Sequence, residues 1–359
     1  MKKRVVVAMS GGVDSSITAC LLAKEGYEVI GLSLKLFSSE EKEFTERNSG
    51  CCGIQGIEDA RAVCQKVGIP FYALNYKGKF EEKVIEYFCG EYENGRTPNP
   101  CIICNEKIKF GSLLEKAKSL GAEYIATGHY AKIEYEEETG RYQLRKGEDR
   151  EKDQSYFLFS LTQQQLEHSL FPLGNYTKDE GHRLAKRFGL KVHDKPASQE
   201  ICFIQNSDYR SFLKARVPES RLRLGPIINK KSGEILGEHR GIVFYTIGQR
   251  KGLGPHTKPL YVIGIDIEKN AILVGEEEEL YGDVLIAERV NWIDREELVE
   301  PIRVKARIRY KQRESDATVF PMGEGVVKVK FDKPQRAITP GQAVVFYRDE
   351  IVVGGGWII

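Results

Sequence analysis

The chain has 359 residues, of which 41% are hydrophobic and 30% charged, with a formal net charge of +2. This balance describes a globular chain of two or three domains with a sizeable core, and it excludes a polycation, so any nucleic-acid site has to be a local patch. No apolar run approaches the length of a membrane span and the N-terminal apolar stretch is too short for a signal peptide, so a cytoplasmic protein with no membrane partner is expected.

The first half alternates strand-like and helix-like segments. Val5–Met9 reads as a buried strand and Ile17–Glu25 as a helix. Glu28–Leu34 is a second strand, Ile57–Val67 a helix ending at Gly68, Phe71–Leu74 a strand and Phe80–Tyr92 a helix. Lys107–Leu120 is helical up to Gly121, and Tyr124–Gly128 is a further strand followed by His129. This order predicts a Rossmann-like parallel sheet with helices on both faces, and ligands bind at the carboxyl ends of such strands. Ser10, Leu34 and Gly128 all fall at those ends. Phe37–Cys52 is polar and poorly periodic and reads as a lid-like loop, with Cys51 and Cys52 as incidental surface thiols.

Lys152–Cys202 holds further helical stretches, including Thr177–Phe188. Beyond Cys202 short strands dominate: Gly241–Ile247, Leu260–Asp266 and Ala271–Val274, with Glu276–Glu279 as a solvated loop. From Val284 onward the chain reads as nearly all β, with strands at Val284–Ala287, Ile302–Tyr310, Val326–Phe331, Ala343–Tyr347 and Ile351–Val353, which favours a small barrel or sandwich. The expected division is 1–204, 205–280 and 281–359.

Three features carry chemistry. The first is Ser10-Gly11-Gly12-Val13-Asp14-Ser15-Ser16, which joins the first strand to the first helix. Such a turn directs backbone N–H groups and a helix N-terminus at one point, where phosphate binds. No Gly-Lys-Ser/Thr follows at Walker A spacing. The bland alternative is a strand–helix turn capped by Ser10. The second feature is Arg96-Thr97-Pro98-Asn99-Pro100-Cys101-Ile102-Ile103-Cys104-Asn105, in which a helix beginning near Cys104 would favour the thiolate. There are eight cysteines. A disulfide scaffold is not expected of a chain this size inside a cell, and the absence of a second C-x-x-C argues against a zinc knuckle. Cys202, in an apolar run, would by itself read as a buried core cysteine.

The third feature is the stretch from Arg303 to Arg313, where every odd position is Lys or Arg. In a single strand, period-two alternation would put all six charges on one face, leaving Val304, Ala306 and Ile308 to a barrel core. Such a face reads either as a solvated edge or as a stripe that reads RNA phosphates. Gln249-Arg250-Lys251-Gly252 is a second basic loop.

The first loop resembles the SGGxDS loop of the ATP pyrophosphatase (PP-loop) superfamily. Several longer motifs then recur in order. They are Pro98-Asn99-Pro100 with Cys104-Asn105 and Ile108-Lys109-Phe110, Ala126-Thr127-Gly128-His129-Tyr130, and Lys152-Asp153-Gln154-Ser155-Tyr156. Ile201-Cys202-Phe203-Ile204, Ile247 to Gly254 and Thr339-Pro340-Gly341-Gln342 complete the series. Together they resemble the bacterial tRNA-specific 2-thiouridylase (MnmA) family over essentially the whole chain.

The resemblance implies ATP-dependent adenylation of the C2 oxygen of uridine 34 in the anticodon stem-loop, followed by sulfur attack on C2. It implies Cys104 as nucleophile and Cys202 as persulfide carrier. Ala8, Met9, Ser10, Gly11, Gly12, Val13, Asp14, Ser15, Leu34 and Gly128 become ATP contacts, with Mg2+ as companion ion. Asn99, Pro100 and Cys101 fall at the target base, and Lys152, Asp153, Gln154, Arg309 and Tyr310 at tRNA, joined by Arg307 from the basic stripe. Sulfur would come from a cysteine desulfurase or a sulfur-relay protein.

One position departs from the family pattern. Cys101 stands where many members carry Asp three residues before the nucleophile, so the general base is open. Two sulfur routes stay open with it: a Cys104/Cys202 persulfide–disulfide relay, or a [4Fe-4S] cluster on Cys101, Cys104 and Cys202. Competing functions are a PP-loop amidotransferase or ligase acting on a small molecule, and a non-catalytic RNA-binding protein with a structural metal.

Overall fold

A computed structural model of the chain describes residues 2–36, 53–194, 201–204 and 208–359. The lid-like segment with Cys51 and Cys52, and residues 198–200 ahead of Cys202, lie outside the described residues. The chain divides into two compact units, the first made of Met1–Val84, Cys101–Ser207 and Glu350–Val352, the second of Ile85–Pro100, Asp208–Asp349 and Val353–Ile359.

Unit 1 is built on five parallel strands: β1 (Arg4–Ala8), β2 (Glu28–Lys35), β3 (Phe71–Asn75), β4 (Tyr124–Ala126) and a short β7 (Ser169–Leu170). Their order is β3-β2-β1-β4-β7, with every neighbour parallel. The chain therefore winds outward from β1 to β3, then returns to the other side of β1 with β4. That reversal opens a crevice at the carboxyl ends of β1 and β4, where doubly wound folds bind their ligands.

Val5, Val6 and Val7 are fully buried, as a central strand covered on both faces requires. Strand alternation sends Val5, Val7 and Met9 to one face. There they pack with Ile17 and Leu21 of α1 (Val13–Lys24), Ala60 and Val63 of α2 (Ile54–Val67) and Ala185 of α3 (Lys178–Arg187). Helix α2 stops at Gly68, whose φ of +78° suits the left-handed cap that ends the helix. A hairpin of β5 (Ala131–Glu136) and β6 (Arg141–Lys146) goes beyond the sequence reading. Ile351 and Val352 pair with Arg145 and Leu144 on its outer edge.

Unit 2 holds two β systems. In the first, β8 (Gly225–Asn229), β9 (Ile235–His239), β10 (Tyr261–Asp266) and β11 (Ala271–Gly275) form a sheet of order β10-β11-β8-β9. The second uses β12 (Tyr281–Trp292), β13 (Ile302–Arg307), β14 (Ser315–Gly323), β15 (Val326–Arg336), β16 (Ala343–Arg348) and, from Val353 onward, β17 (Ile351–Ile358). These run β12-β15-β14-β13-β16-β17, and β17 pairs back onto β12, closing a small barrel. Closure removes the edge strands, and the interior fills with Val304, Ala306, Val319, Val329, Phe331 and Phe346.

Four expected elements take another form. Gly241–Ile247 is not a strand but a 3-10 turn at Ile242–Phe244, because Gly241 (φ +114°) turns the chain and buries Ile242 and Val243. Glu276–Glu279 is a capped turn: the Glu276 and Glu279 side chains each accept from the other's backbone N–H at the start of Glu277–Leu280. The Phe80–Tyr92 helix contains a π turn at Glu81–Ile85. The Lys107–Leu120 helix begins earlier, at Pro100, and is α, then π over Cys104–Ser112, then α again to Ser119.

Both tryptophans, Trp292 and Trp357, belong to unit 2, and Trp292 stacks on the fully buried Phe346 at 5.7 Å. Phe346→Ala is expected to remove about 3–5 kcal/mol from the barrel. Urea unfolding followed by tryptophan fluorescence measures it, and an unchanged midpoint would rule out this packing.

Candidate functional site

The loop after β1 is organised by its own hydroxyls. Helix α1 is capped by Gly12, with no side-chain cap, so the Ser10-capped alternative does not hold. Instead the Ser10 hydroxyl accepts from Gly12 N at 3.4 Å and meets the Ser15 hydroxyl at 3.1 Å, while Ser15 Oγ also accepts from Ser10 N at 3.2 Å. Ser16 Oγ donates to Gly12 O at 2.8 Å. Ser33 of β2 donates to Met9 O at 2.7 Å and ties the loop to the neighbouring strand. Leu34 is the next residue of β2, paired with Leu74.

Two glycines let backbones crowd this loop. Gly11 has φ +73°, and a Cβ there would lie 2.1 Å from Gly56 O of α2. A Cβ on Gly128 would lie 2.8 Å from the Asp14 side chain and 2.9 Å from Ser15 N, so the end of β4 rests on the first turn of α1. Gly128 and Ser33 thus bring the end of β4 and the neighbouring strand β2 against the Met9–Ser15 loop.

Two residues assigned no role in the sequence reading complete the site. Asp14 Oδ1 accepts from Tyr130 Oη at 3.0 Å and from Lys178 Nζ at 2.5 Å. Lys178 Nζ also lies 5.4 Å from the centroid of the Tyr130 ring. Burial, then the Asp14 carboxylate, push the Tyr130 hydroxyl far up, so it stays a donor. His129 is buried and meets Thr127 Oγ1 at 2.6 Å through Nδ1. Burial, helped by the Lys109 charge, holds its imidazole well below the usual range and keeps it neutral.

The cysteine motif lies on the Pro100–Ser119 run. Cys101, exposed, sits in the first turn of the opening helix. Cys104, half-buried, begins the π segment and does not start the helix as expected. A π segment misplaces carbonyls, and side chains take them up. Gln165 Nε2 donates to Phe110 O at 2.9 Å and Tyr76 Oη to Ser112 O at 3.0 Å. Asn105, buried beside Cys104, donates to Phe157 O at 3.0 Å. Cys202 lies half-buried in a turn next to Phe203, whose ring packs edge-on against Phe80 at 5.8 Å. Among the described residues no three His, Cys, Asp or Glu side chains group to hold a metal ion, so Cys101, Cys104 and Cys202 do not form a preassembled three-thiolate set.

Lys152 is exposed, but Asp153 is buried. Its carboxylate accepts from Gly147 N, Ser155 N and Ser155 Oγ at 3.1, 3.1 and 2.9 Å. Gln154 binds both backbone polar groups of Tyr130, N through its Oε1 and O through its own N. These two residues brace the turn behind Tyr130.

In unit 2, the Thr339-Pro340-Gly341-Gln342 motif holds the Arg96–Asn99 segment. Gln342 Nε2 donates to Thr97 O at 2.8 Å, Thr97 N donates to Pro340 O at 2.8 Å, and a Cβ on Gly341 would lie 2.9 Å from Thr97 N. The basic stripe is shorter than expected: its strand ends at Arg307 and the chain then bends, so the six charges do not share one strand face. Arg303 forks onto Asp332, Arg307 pairs with Glu314 at 2.7 Å with both side chains mostly buried, and Arg309 donates to Ala337 O and Thr339 Oγ1. Lys305, Lys311 and Arg313 are exposed.

Burial pushes the Cys20 thiol up to about 11, partly offset by Lys66, and burial with the neighbouring Cys20 pushes Cys64 up to about 12. Both stay protonated at neutral pH and are poor nucleophiles. Iodoacetamide on the native protein near pH 7.5 is therefore expected to label Cys101 well before Cys20 or Cys64, read by peptide mass spectrometry. Equal rates would contradict this ranking.

The model of the tRNA methyl transferase HUP domain matches residues 3–206, that of the tRNA methyl transferase PRC-barrel domain 210–276, and that of the Aminomethyltransferase beta-barrel domain 282–358. The tRNA-specific 2-thiouridylase MnmA of Clostridium acetobutylicum is 52% identical over 359 residues, covering the whole of both chains. MnmA 1 of Thermoanaerobacter pseudethanolicus is 53% identical over 361 residues, covering 100% of this chain and 99% of its own. MnmA of Acetivibrio thermocellus is 51% identical over 358 residues, 99% of each. With half of its residues shared from end to end with these enzymes, and the loop and cysteine motif seated on the matching HUP segment, the chain belongs to the tRNA-specific 2-thiouridylase family.

Proposed function

We propose that this chain converts a tRNA uridine, uridine 34 of the anticodon, to 2-thiouridine. The observation that carries the reading is the Ser10–Ser16 loop at the β1/β4 crevice of a chain that matches named 2-thiouridylases along its whole length. A phosphate-binding loop and reactive cysteines are both needed because the C2 oxygen of uracil is a poor leaving group. Attack of that oxygen on the α-phosphate of ATP expels pyrophosphate and leaves AMP on C2. The loop backbone and the α1 N-terminus offer N–H groups to the phosphates. Mg2+ would be held at Asp14, the carboxylate of the loop, and would supply charge neutralisation there.

Sulfur then replaces AMP. The Cys104/Cys202 relay is the route favoured here, because it rests on the two cysteines that match the family's motifs, whereas the cluster also needs Cys101. Cys202 carries the sulfur as a persulfide, delivered by a cysteine desulfurase or relay protein. The terminal sulfur attacks C2 and AMP departs. The Cys104 thiolate then attacks the Cys202 sulfur, the old S–S bond breaks with its electron pair left on the transferred sulfur, and a Cys104–Cys202 disulfide remains, which a thiol reductant must reopen. Segment 1–204 does this chemistry. Segments 205–280 and 281–359 hold the tRNA, and Asn99 to Cys101 meet the target base, which has to be flipped out of its stack.

A second reading, methyl transfer, comes from the wording of the HUP-domain description. It leaves the loop and the cysteines without a task. A ligase acting on a small molecule leaves the barrel without one. The experiment incubates the chain with ATP, tRNA and a persulfide donor. AMP and pyrophosphate are expected only when tRNA is present, with a nucleoside heavier by a sulfur-for-oxygen exchange that is absent in Cys104→Ser and Cys202→Ser. A methylated nucleoside, or pyrophosphate release without tRNA, would overturn the reading. Iron bound in stoichiometric amount after anaerobic purification would move sulfur transfer to the cluster on Cys101, Cys104 and Cys202.

For tRNA binding, Lys305, Lys311 and Arg313 are the residues to replace, because removing Arg307 strands Glu314 in a mostly buried position. The triple alanine variant is expected to fold normally and to flatten the salt dependence of tRNA binding by about 0.7–0.9 in logarithmic slope for each phosphate no longer neutralised. An unchanged slope takes this segment out of the interface.

A further inference from the structure

The Lys178–Asp14 pair has features of an exchangeable partnership more than of a structural ion pair. Lys178 is the first residue of α3, and its backbone is fixed twice over. Thr177 and Glu180 form a reciprocal capping box around it, and Lys178 N donates to Asp149 Oδ2 at 2.9 Å. Helix α3 is also seated closely on the site, since a Cβ on Gly181 would lie 2.9 Å from Tyr130 Oη. The helix start is thus rigid, while the ammonium ends a flexible four-carbon stem that can swing between partners.

The anion it meets has a second holder. Tyr130 Oη also donates to Asp14 Oδ1, so the carboxylate keeps its orientation if Lys178 leaves. Asp14 itself lies in the first turn of α1, beside the loop N–H groups. A pyrophosphate arriving there would be repelled by the Asp14 carboxylate and attracted by the ammonium next to it. A cation held 2.5 Å from that carboxylate leaves the resting site close to neutral and becomes available once a metal ion takes the carboxylate.

We propose that Lys178 is a phosphate-binding residue of this site, which neutralises Asp14 in the resting protein and transfers its ammonium to the β,γ-pyrophosphate of ATP on binding. The proposal rests on the ATP-dependent reading above and adds to it the cation that recognises the leaving group. Lysine suits this task because it binds phosphate as a point charge without a fixed fork.

The test is calorimetric titration with magnesium and, in turn, ATP, inorganic pyrophosphate and AMP. Lys178→Met is expected to weaken ATP and pyrophosphate by about 10- to 100-fold, the range of one charged hydrogen bond, with AMP within about twofold. Lys178→Arg is expected to recover most of the binding. Asp14→Asn, titrated with pyrophosphate in the absence of magnesium, is expected to bind at least as tightly as the wild type because the repulsion is gone. Equal weakening of all three ligands would make Lys178 a purely structural partner of Asp14, and unchanged ATP and pyrophosphate affinity in Lys178→Met would remove it from the site; either overturns the proposal. Wild-type protein that binds neither ATP nor pyrophosphate would overturn the nucleotide reading itself, a separate failure. Should Lys178→Met not fold, Lys178→Gln gives the same comparison.

Discussion

The backbone contact between Gly128 and the first turn of α1 governs the Ser10–Ser16 loop. The end of β4 can rest on Asp14 and Ser15 only because no side chain stands between them. The same close approach recurs where Gly11 meets Gly56 of α2. These contacts bring β1, β4 and α2 to one loop. Tyr130 follows Gly128 by two residues, so the seat of Gly128 also delivers the phenol that holds Asp14. Asp153 and Gln154 brace that segment from behind. Gln154, which the resemblance places at tRNA, also holds Tyr130 by both of its backbone polar groups.

A similar division of labour surrounds the cysteines. The run from Pro100 to Ser119 carries Cys101 in its first turn and Cys104 where the helix widens into π geometry. Widening disturbs the regular i to i−4 ladder and needs donors from elsewhere. Gln165 and Tyr76 supply them from segments distant in sequence. Gln165 also accepts from Thr162 N in the capping box of its own short helix, so one side chain stabilises two helices. In unit 2 the Thr97–Pro98 backbone is clamped in the same manner by Gln342. The Pro100–Ser119 run and the Thr97–Pro98 backbone are thus each held by polar side chains from another part of their own unit.

Much of the architecture could be read from the chain. The parallel sheet was legible because Val5–Val7 is uniformly apolar, as a doubly covered strand must be, and because the Gly68 and Gly121 caps mark helix ends. The barrel was legible through alternation in segments such as Val326–Phe331, where Val327, Val329 and Phe331 face the core. The misses have physical causes. The β5–β6 hairpin is half-exposed and its apolar signal is weak. Gly241–Ile247 has strand composition, but a glycine at φ +114° overrides it. The basic stripe reads as one strand because its period survives in the residue types after Arg307, although the backbone has already bent.

By itself, then, the sequence determined the elements with strong periodicity, the Ser10–Ser16 turn between β1 and α1 and the cysteine motif, because each is a local property of neighbouring residues. It also determined the family, through motifs spread over the whole chain. Only the tertiary structure decided which charges are matched internally. Arg307 is matched by Glu314, Arg309 by the Ala337 carbonyl and Thr339, and Asp14 by a lysine 164 positions away. The physical reason is that electrostatic partnership depends on distance in space, and residue order fixes that distance only within a helical turn or a hairpin.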